Sequence, residues 1–493
     1  MSGVQTGTVR TNVPARLDRL PWSRWHWLIV IGLGTVWILD GLEVTIVGNL
    51  SGQLARPGSG LPITQSQVTG LGAAVYVLGA CVGALFFGWL TDRYGRKKLF
   101  MITLGVYLFA TAMTAASFAP WWFLLFRLLT GFGIGGEYAA INSAIDELIP
   151  ARHRGRIDIV INGTFWLGAA LGALITIPLL TLLPTGIGWR LAFALGVVLG
   201  VAILLVRRNV PESPRWLFIH GRGREAEALV AGIEAEVERD TGAPLGGAEH
   251  YLTIRQRRSI GFATIARTLV RRYPRRTVLG LALFVGQAFL YNAVTFGYAQ
   301  ILQTFFGVPP GRTGYFYVAI AVGNLLGPLL LGRFFDTVGR KPMITGTYLT
   351  SGILLLVTAY LFHAGRLDAV TMTACWCAVL FAASAGASSA YLTVSEVFPM
   401  ETRALAIAFF YAIGTAAGGI SGPLVFARLV GSGRVDDAVV AFVIGASLMI
   451  VAGIVEAFLG VRAERKGLES IATPLTAEEA ERHGPGSARP ATA

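Results

Sequence analysis

Four ionisable side chains stand inside long apolar runs: Asp40 and Glu43 in WILDGLEVTIVGN, and Arg127 and Glu137 at the two ends of RLLTGFGIGGE. Charge inside an apolar segment is costly, so each is a candidate for handling an ion or a solute. Asp40 and Glu43 are spaced i and i+3, which puts both on one face of a helix. Glu43 lies about seven residues before the end of its run and Arg127 about six after the start of its own, so both sit about 10 Å below the same surface at 1.5 Å per residue. Equal depth allows an ion pair. It can be a proton-exchanging carboxylate whose anionic form Arg127 holds, or a static pair that fixes packing. Asp40 is either a second acid of the same kind or a residue facing a wet vestibule. Glu137 follows a row of glycines, Gly131, Gly133, Gly135 and Gly136, that lets helices approach, and reads equally as a relay carboxylate or as a hydrogen-bonding group at a packing site.

The elements that must carry these groups follow from composition. The chain has 493 residues, 54% hydrophobic and 14% charged, with 61 Gly and a mean hydropathy of +0.61, which is far from a soluble average. Apolar runs long enough to span a bilayer as helices fall at about 27–50, 67–90, 98–118, 121–146, 157–183 and 189–207, then at about 275–304, 312–335, 342–362, 368–396, 404–430 and 437–461. The expected fold is all-α and integral to the membrane, with twelve spanning helices in two sets of six. The units are a tail (1–26), a first bundle (27–207), a linker (208–274) with a short amphipathic helix over about 224–238, a second bundle (275–462) and a disordered tail (463–493).

Starting inside, one side of this arrangement holds about 34 of the 41 Lys and Arg residues, so both termini are expected to be cytoplasmic. The net charge of +13 is not gathered on a soluble basic face, which excludes nucleic acid as a partner. Cys81, Cys375 and Cys377 lie in apolar runs without metal-ligand spacing, and no signal peptide is expected. The six His are scattered, and no nucleophile motif or phosphate-cradling loop occurs. No enzyme activity, metal or cofactor is expected.

Two charged hairpins repeat. Gly88–Lys98 (GWLTDRYGRKK) closes the second run, and Gly332–Lys341 (GRFFDTVGRK) closes the eighth, 244 residues downstream. Glu147 and Arg154 after the fourth run recur as Glu396 and Arg403 after the tenth. Recurrence on the same side six helices apart makes the halves parallel repeats about a midplane site. Gly88 and Gly95 permit close approach and a turn, and the Lys and Arg residues anchor the interface. Anchoring does not explain an Asp in both copies, Asp92 and Asp336.

These hairpins, the Arg127–Glu137 segment, the Glu147-x-x-Pro150-x-x-x-Arg154 end and the Pro211–Leu217 linker (PESPRWL) together resemble the major facilitator superfamily over about residues 22–462. The nearest branches are its sugar porters and its metabolite or aromatic-acid:proton symporters. The resemblance implies an alternating-access transporter in the inner (plasma) membrane, working as a monomer on a small solute and protons. It implies a cytoplasmic gate made of Gly88, Asp92, Gly95, Arg96, Glu147 and Arg154 with Gly332, Asp336, Gly339, Arg340, Glu396 and Arg403. It implies proton coupling at Glu43 with Arg127, helped by Asp40 and Glu137. Substrate contacts are implied at Gln287, Tyr291, Asn292 and Tyr298 of the seventh helix, joined by Asn162, Trp166 and Tyr391, for which helix packing is the alternative role. Ala387, Ser388 and Tyr391 replace the sugar-porter Gly-Pro and Trp, and Gly286 replaces a second Gln, so an organic or aromatic acid is expected ahead of a sugar or polyol. Facilitated diffusion, proton-coupled efflux and a non-transporting sensor are the other readings.

Overall fold

Glycine sets how closely the spanning helices cross. A computed structural model describes residues 8–64, 67–207, 211–247, 251–255, 267–309, 312–399, 403–464, 466 and 471–472. The side chains of Asp92 and Arg403 and the tail from residue 473 lie outside the described residues, and with them two of the expected gate residues and the expected disorder of the tail.

The first half comprises α2 (Arg24–Leu54), α3 (Ala73–Tyr94), α4 (Arg96–Ala115), α5 (Pro120–Leu148), α6 (Arg154–Leu182) and α7 (Thr185–Arg207), preceded by a short α1 (Val13–Asp18). The linker holds α8 (Pro214–Ile219) and α9 (Gly223–Thr241), which is the amphipathic helix expected there. The second half comprises α10 (Pro274–Phe306), α11 (Thr313–Leu331) with the short α12 (Phe334–Thr337), α13 (Arg340–His363), α14 (Ala369–Val397), α15 (Arg403–Gly414), α16 (Ser421–Gly431) and α17 (Val435–Leu459). One wide turn, Thr415–Ile420, joins α15 to α16 in a single rod. Among the described residues eleven helices are long and apolar enough to cross a membrane, and the 29-residue α5 takes the fourth of twelve places. The protein is an integral membrane protein of two six-helix bundles.

Helices α3 and α5 interlock. A Cβ on Gly79 or Gly83 would collide with the carbonyls of Leu128 or Phe132, and one on Gly131 or Gly135 with those of Tyr76 or Ala80. Gly41 of α2 and Gly168 of α6 are in the same position, against the carbonyls of Phe165 and Ile38. Without an attraction of apolar side chains for one another over lipid, such backbone approach is what holds spanning helices together. The halves meet where α6 crosses α11, at Gly163 against Pro328, and where α3 meets α15.

The described part of the N-terminal tail folds against the linker. Thr8–Thr11 (β1) pairs antiparallel with Leu252–Arg255 (β2) of the linker, and the first spanning helix already starts at Arg24. Val13, Leu17 and Leu20 are buried, and Arg16 binds Glu234 and Glu227 of α9, each at 2.5 Å, with Arg19 on Glu234 at 2.6 Å. Apolar burial and ion pairing thus hold this segment on α9.

Gly168→Ala is expected to lower the melting temperature in detergent, because overpacking costs about 1–3 kcal/mol. Gly346→Ala, whose added Cβ meets nothing, should leave it unchanged or slightly raised. The Arg16 hydrogen bond holds the Glu234 carboxyl below its ordinary range. Its stabilising contribution is therefore present above the unfolded value, about 4.3, and is lost as pH falls through the lowered folded value. Limited proteolysis of the N-terminal segment should show Glu234→Gln cleaved faster than wild type at neutral pH and the two converging in acid.

Candidate ion-pair and solute site

The interlocked glycines decide which side chains face inward. Gly131 and Gly135 press α5 onto α3, and Arg127, one turn earlier, then reaches across to α2, where its Nη1 donates to Glu43 Oε1 at 2.7 Å. Both side chains are fully buried, at 2% and 0% exposure. The Tyr107 hydroxyl of α4 lies 3.4 Å from Glu43 Oε2, and the guanidinium stacks over the ring of Tyr76 at 4.6 Å. A buried pair needs such further partners, since desolvation of each ion costs several kcal/mol.

Asp40 does not face a wet vestibule. It is buried, accepting a hydrogen bond from Tyr76 at 3.1 Å through Oδ1 and another from Tyr138 through Oδ2. Glu137 is also buried, accepts from the Thr103 hydroxyl of α4 at 3.2 Å and lies within electrostatic reach of Asp40.

Beside this cluster a cavity of about 150 Å³ opens between the halves. Its first-half wall carries Trp37, Tyr76, Tyr138, Asn162 and Trp166, and its second-half wall Gln287, Tyr291, Asn292, Tyr391 and Tyr411. Trp37 stacks on Tyr138 at 4.7 Å and 12°, Tyr411 meets Tyr138 edge-on at 4.7 Å, and Tyr291 packs on Trp166 at 5.4 Å. The Tyr291 hydroxyl is held by Asn324 Oδ1 at 3.0 Å. Among the described residues the lining contains no Lys, Arg or His.

Six of the seven side chains named for substrate contact meet here. Tyr298 does not: it lies two turns further along α10, where its hydroxyl pairs with Thr373 at 2.5 Å and it lines a larger vestibule of about 500 Å³. A helix continues its rotation, so residues 291 and 298 share a face but not a depth. Val44 and Thr295 line both spaces and form the threshold between them. Sequence reasoning missed Trp37, Tyr76, Tyr138 and Tyr411. A usable signal for two of them existed, since Tyr76 precedes Gly79 and Tyr138 follows Gly135 by one helical step of three.

At the opposite end from the vestibule, the charged hairpins close the bundle. Gly95 and Gly339 turn with φ of 91° and 118°. Gly88 is buried within α3, and Gly332 is helical and approaches the Arg156 carbonyl of the other half. Arg96 binds Glu147 at 2.6 Å, and the Ser213 hydroxyl of the linker donates to the same carboxylate. Arg340 binds Asp336 at 2.6 Å and grips Glu396 with two bonds of 3.0 Å. Asp336 Oδ2 also accepts from the backbone N–H of Arg156 at 2.7 Å, so the second hairpin docks on the first turn of α6 in the first half, where a helix presents free N–H groups. Arg154 binds Asp18 of α1 at 3.1 Å, so the folded tail reaches this end of the bundle.

A third pair of like contacts was not anticipated. Glu212, just after α7, accepts from the backbone N–H of Arg96 at 2.9 Å and of Lys97 at 3.2 Å. Glu464, just after α17, reaches the N–H of Arg340 at 3.5 Å. Each caps the helix that follows its own half's hairpin.

Comparison with known proteins agrees with this architecture. The sequence profile described as "Sugar (and other) transporter" matches residues 27–474. The niacin transporter NiaP of Acinetobacter baylyi is 27% identical over 463 residues, covering 93% of this chain and 99% of that protein. The organic cation/carnitine transporter 7 of Arabidopsis thaliana is 25% identical, with 86% and 89% covered. The proton:xylose symporter XylE, bound to 6-bromo-6-deoxy-D-glucose, shares the fold with a TM-score of 0.73 at 18% identity, covering 90% of this chain and 98% of that one. Profile, length and fold agree, and the chain belongs to the sugar (and other) transporter family of the major facilitator superfamily.

Proposed function

We propose that the protein takes up a small ring-bearing organic acid by proton symport, alternating between a state open at the vestibule and a state open at the hairpin end. The observation that carries this reading is the sealed Glu43–Arg127 pair placed beside an aromatic cavity shared by both halves. Protonation of Glu43 removes the attraction that holds the pair and so biases one state over the other. Asp40 and Glu137, buried in the same half, assist as further carboxylates.

Stacked rings suit a flat solute, and the amides of Asn162, Gln287 and Asn292 can accept and donate to a carboxyl group. Trp37 lines the cavity, and its indole N–H has no hydrogen-bond partner among the described residues, so a solute oxygen can satisfy it. With no cation in the described lining, an ionised acid would be buried unpaired, which favours entry of the neutral or zwitterionic form. The niacin transporter among the relatives carries a solute of this kind by its name. The crowding of Lys and Arg at the hairpin end supports a cytoplasmic location for that end and for both termini, in an inner (plasma) membrane. The hairpins act as its gate, and a single chain supplies both walls of the cavity, so the working unit is the monomer.

Screening nicotinate, benzoate and xylose by thermal shift, followed by uptake into liposomes, tests the solute class; stabilisation by xylose alone would overturn it. Glu43→Gln is expected to abolish accumulation against a gradient while counterflow exchange continues, and uphill uptake by that variant would remove Glu43 from coupling. Asp336→Asn is expected to loosen the hairpin end and slow turnover with the order of solute preference intact. In a cysteine-free background, Ala387→Cys should then label faster from the hairpin side with an impermeant maleimide, and an unchanged rate would take Asp336 out of the gate.

A further inference from the structure

We infer that Tyr76 and Tyr138, joined through Asp40, are the positioning residues that link the charge state of the Glu43–Arg127 pair to the solute cavity. Resting on the reading of Glu43 as the proton carrier, the inference adds the route by which the solute and the proton sense each other.

The route is continuous in space. Glu43 is the only carboxylate within ion-pair distance of Arg127 among the described residues, and Arg127 Nε has no hydrogen-bond partner among them. The other face of the guanidinium is covered by the ring of Tyr76 at 4.6 Å. That ring also lines the cavity, and its hydroxyl is anchored on Asp40 Oδ1 at 3.1 Å. The second oxygen of Asp40 holds the hydroxyl of Tyr138, whose ring stacks on Trp37 and meets Tyr411, both of them cavity walls. One carboxylate therefore orients two tyrosines so that their hydroxyls are spent on Asp40 and their rings are offered to the solute.

Neutralising Glu43 leaves the Arg127 charge facing the Tyr76 ring and, behind it, Asp40. The cation–π contact and the attraction toward Asp40 then carry the load that Glu43 carried before. Tyr76 is pulled from both ends, by ring and by hydroxyl, and Tyr138 follows through the shared carboxylate. A solute pressed against these rings resists or assists that shift, and linkage requires the effect to run equally in both directions. The groups facing Glu43 are Arg127 of α5, Tyr107 of α4, Tyr76 of α3 and Asp40 of its own helix, with Gly196 of α7 beside its Oε2.

Two readouts test this on the purified full-length protein. Infrared titration of the protonated-carboxyl band that disappears in Glu43→Gln gives the midpoint of Glu43 without any solute. Tyr138→Phe, which never touches Glu43, is expected to move that midpoint by about one pH unit, a tenfold change in proton affinity, and Tyr76→Phe by at least as much. Tyr411→Phe, a cavity wall with no bond to Asp40, should leave it in place. In the second readout, nicotinate binding is compared in a double-mutant cycle. Glu43→Gln should change affinity at least fivefold in wild type, within the usual range of coupled sites, and less than twofold in the Tyr76→Phe/Tyr138→Phe background. Midpoints unmoved in both tyrosine variants would overturn the inference, as would equal effects of Glu43→Gln in the two backgrounds. Failure of nicotinate to bind wild type would count against the proposed solute class alone, since the infrared midpoints still decide the link.

Discussion

An arginine and a glutamate sealed together among apolar helices set the terms for the rest of this fold. Breaking such a pair from one side leaves an unpaired buried charge, at a cost of about 3–5 kcal/mol. The pair is safe only while α2, α3, α4 and α5 stay close enough to seal it. Side chains cannot supply that closeness against lipid, so carbonyl oxygens of α3 and α5 sit where glycine side chains would be. The Gly131–Gly136 row thus serves the charge on Arg127 as much as it serves packing. Tyr107 on Glu43 and Tyr76 on Arg127 complete the enclosure.

The two halves share an architecture and divide the chemistry. Asp40 and the Glu43–Arg127 pair beside the cavity belong to the first half, whereas the second half presents Gln287, Asn292 and tyrosines to the cavity. On the proposed reading, a solute between them would touch fixed neutral dipoles on one side and, through Tyr76 and Tyr138, a responsive charged network on the other. Such a division would give a solute something to couple to without placing a Lys, Arg or His in the described walls.

How much of this was legible in the sequence differs by element. Charges inside apolar runs are conspicuous, because lipid tolerates few of them, and so Asp40, Glu43 and Arg127 stood out along with the depth that pairs two of them. Duplicated hairpins likewise announced the repeat. Aromatic residues in apolar runs are ordinary, however, and only the rotational setting of each helix tells Tyr138 from a lipid-facing ring such as Trp121, which is 58% exposed. Tyr298 was misplaced for a related reason: face was readable along α10, but the depth of the cavity was not. Asp18 was passed over because nothing in a polar tail reveals that Arg154 will meet it.

Glu212 and Glu464 carry a last implication. Each leaves its bundle and returns to the hairpin of that same bundle, so each half closes on itself before the chain moves on. A rigid rotation of one half against the other would leave both contacts intact, because donor and acceptor lie on the same side of the seam.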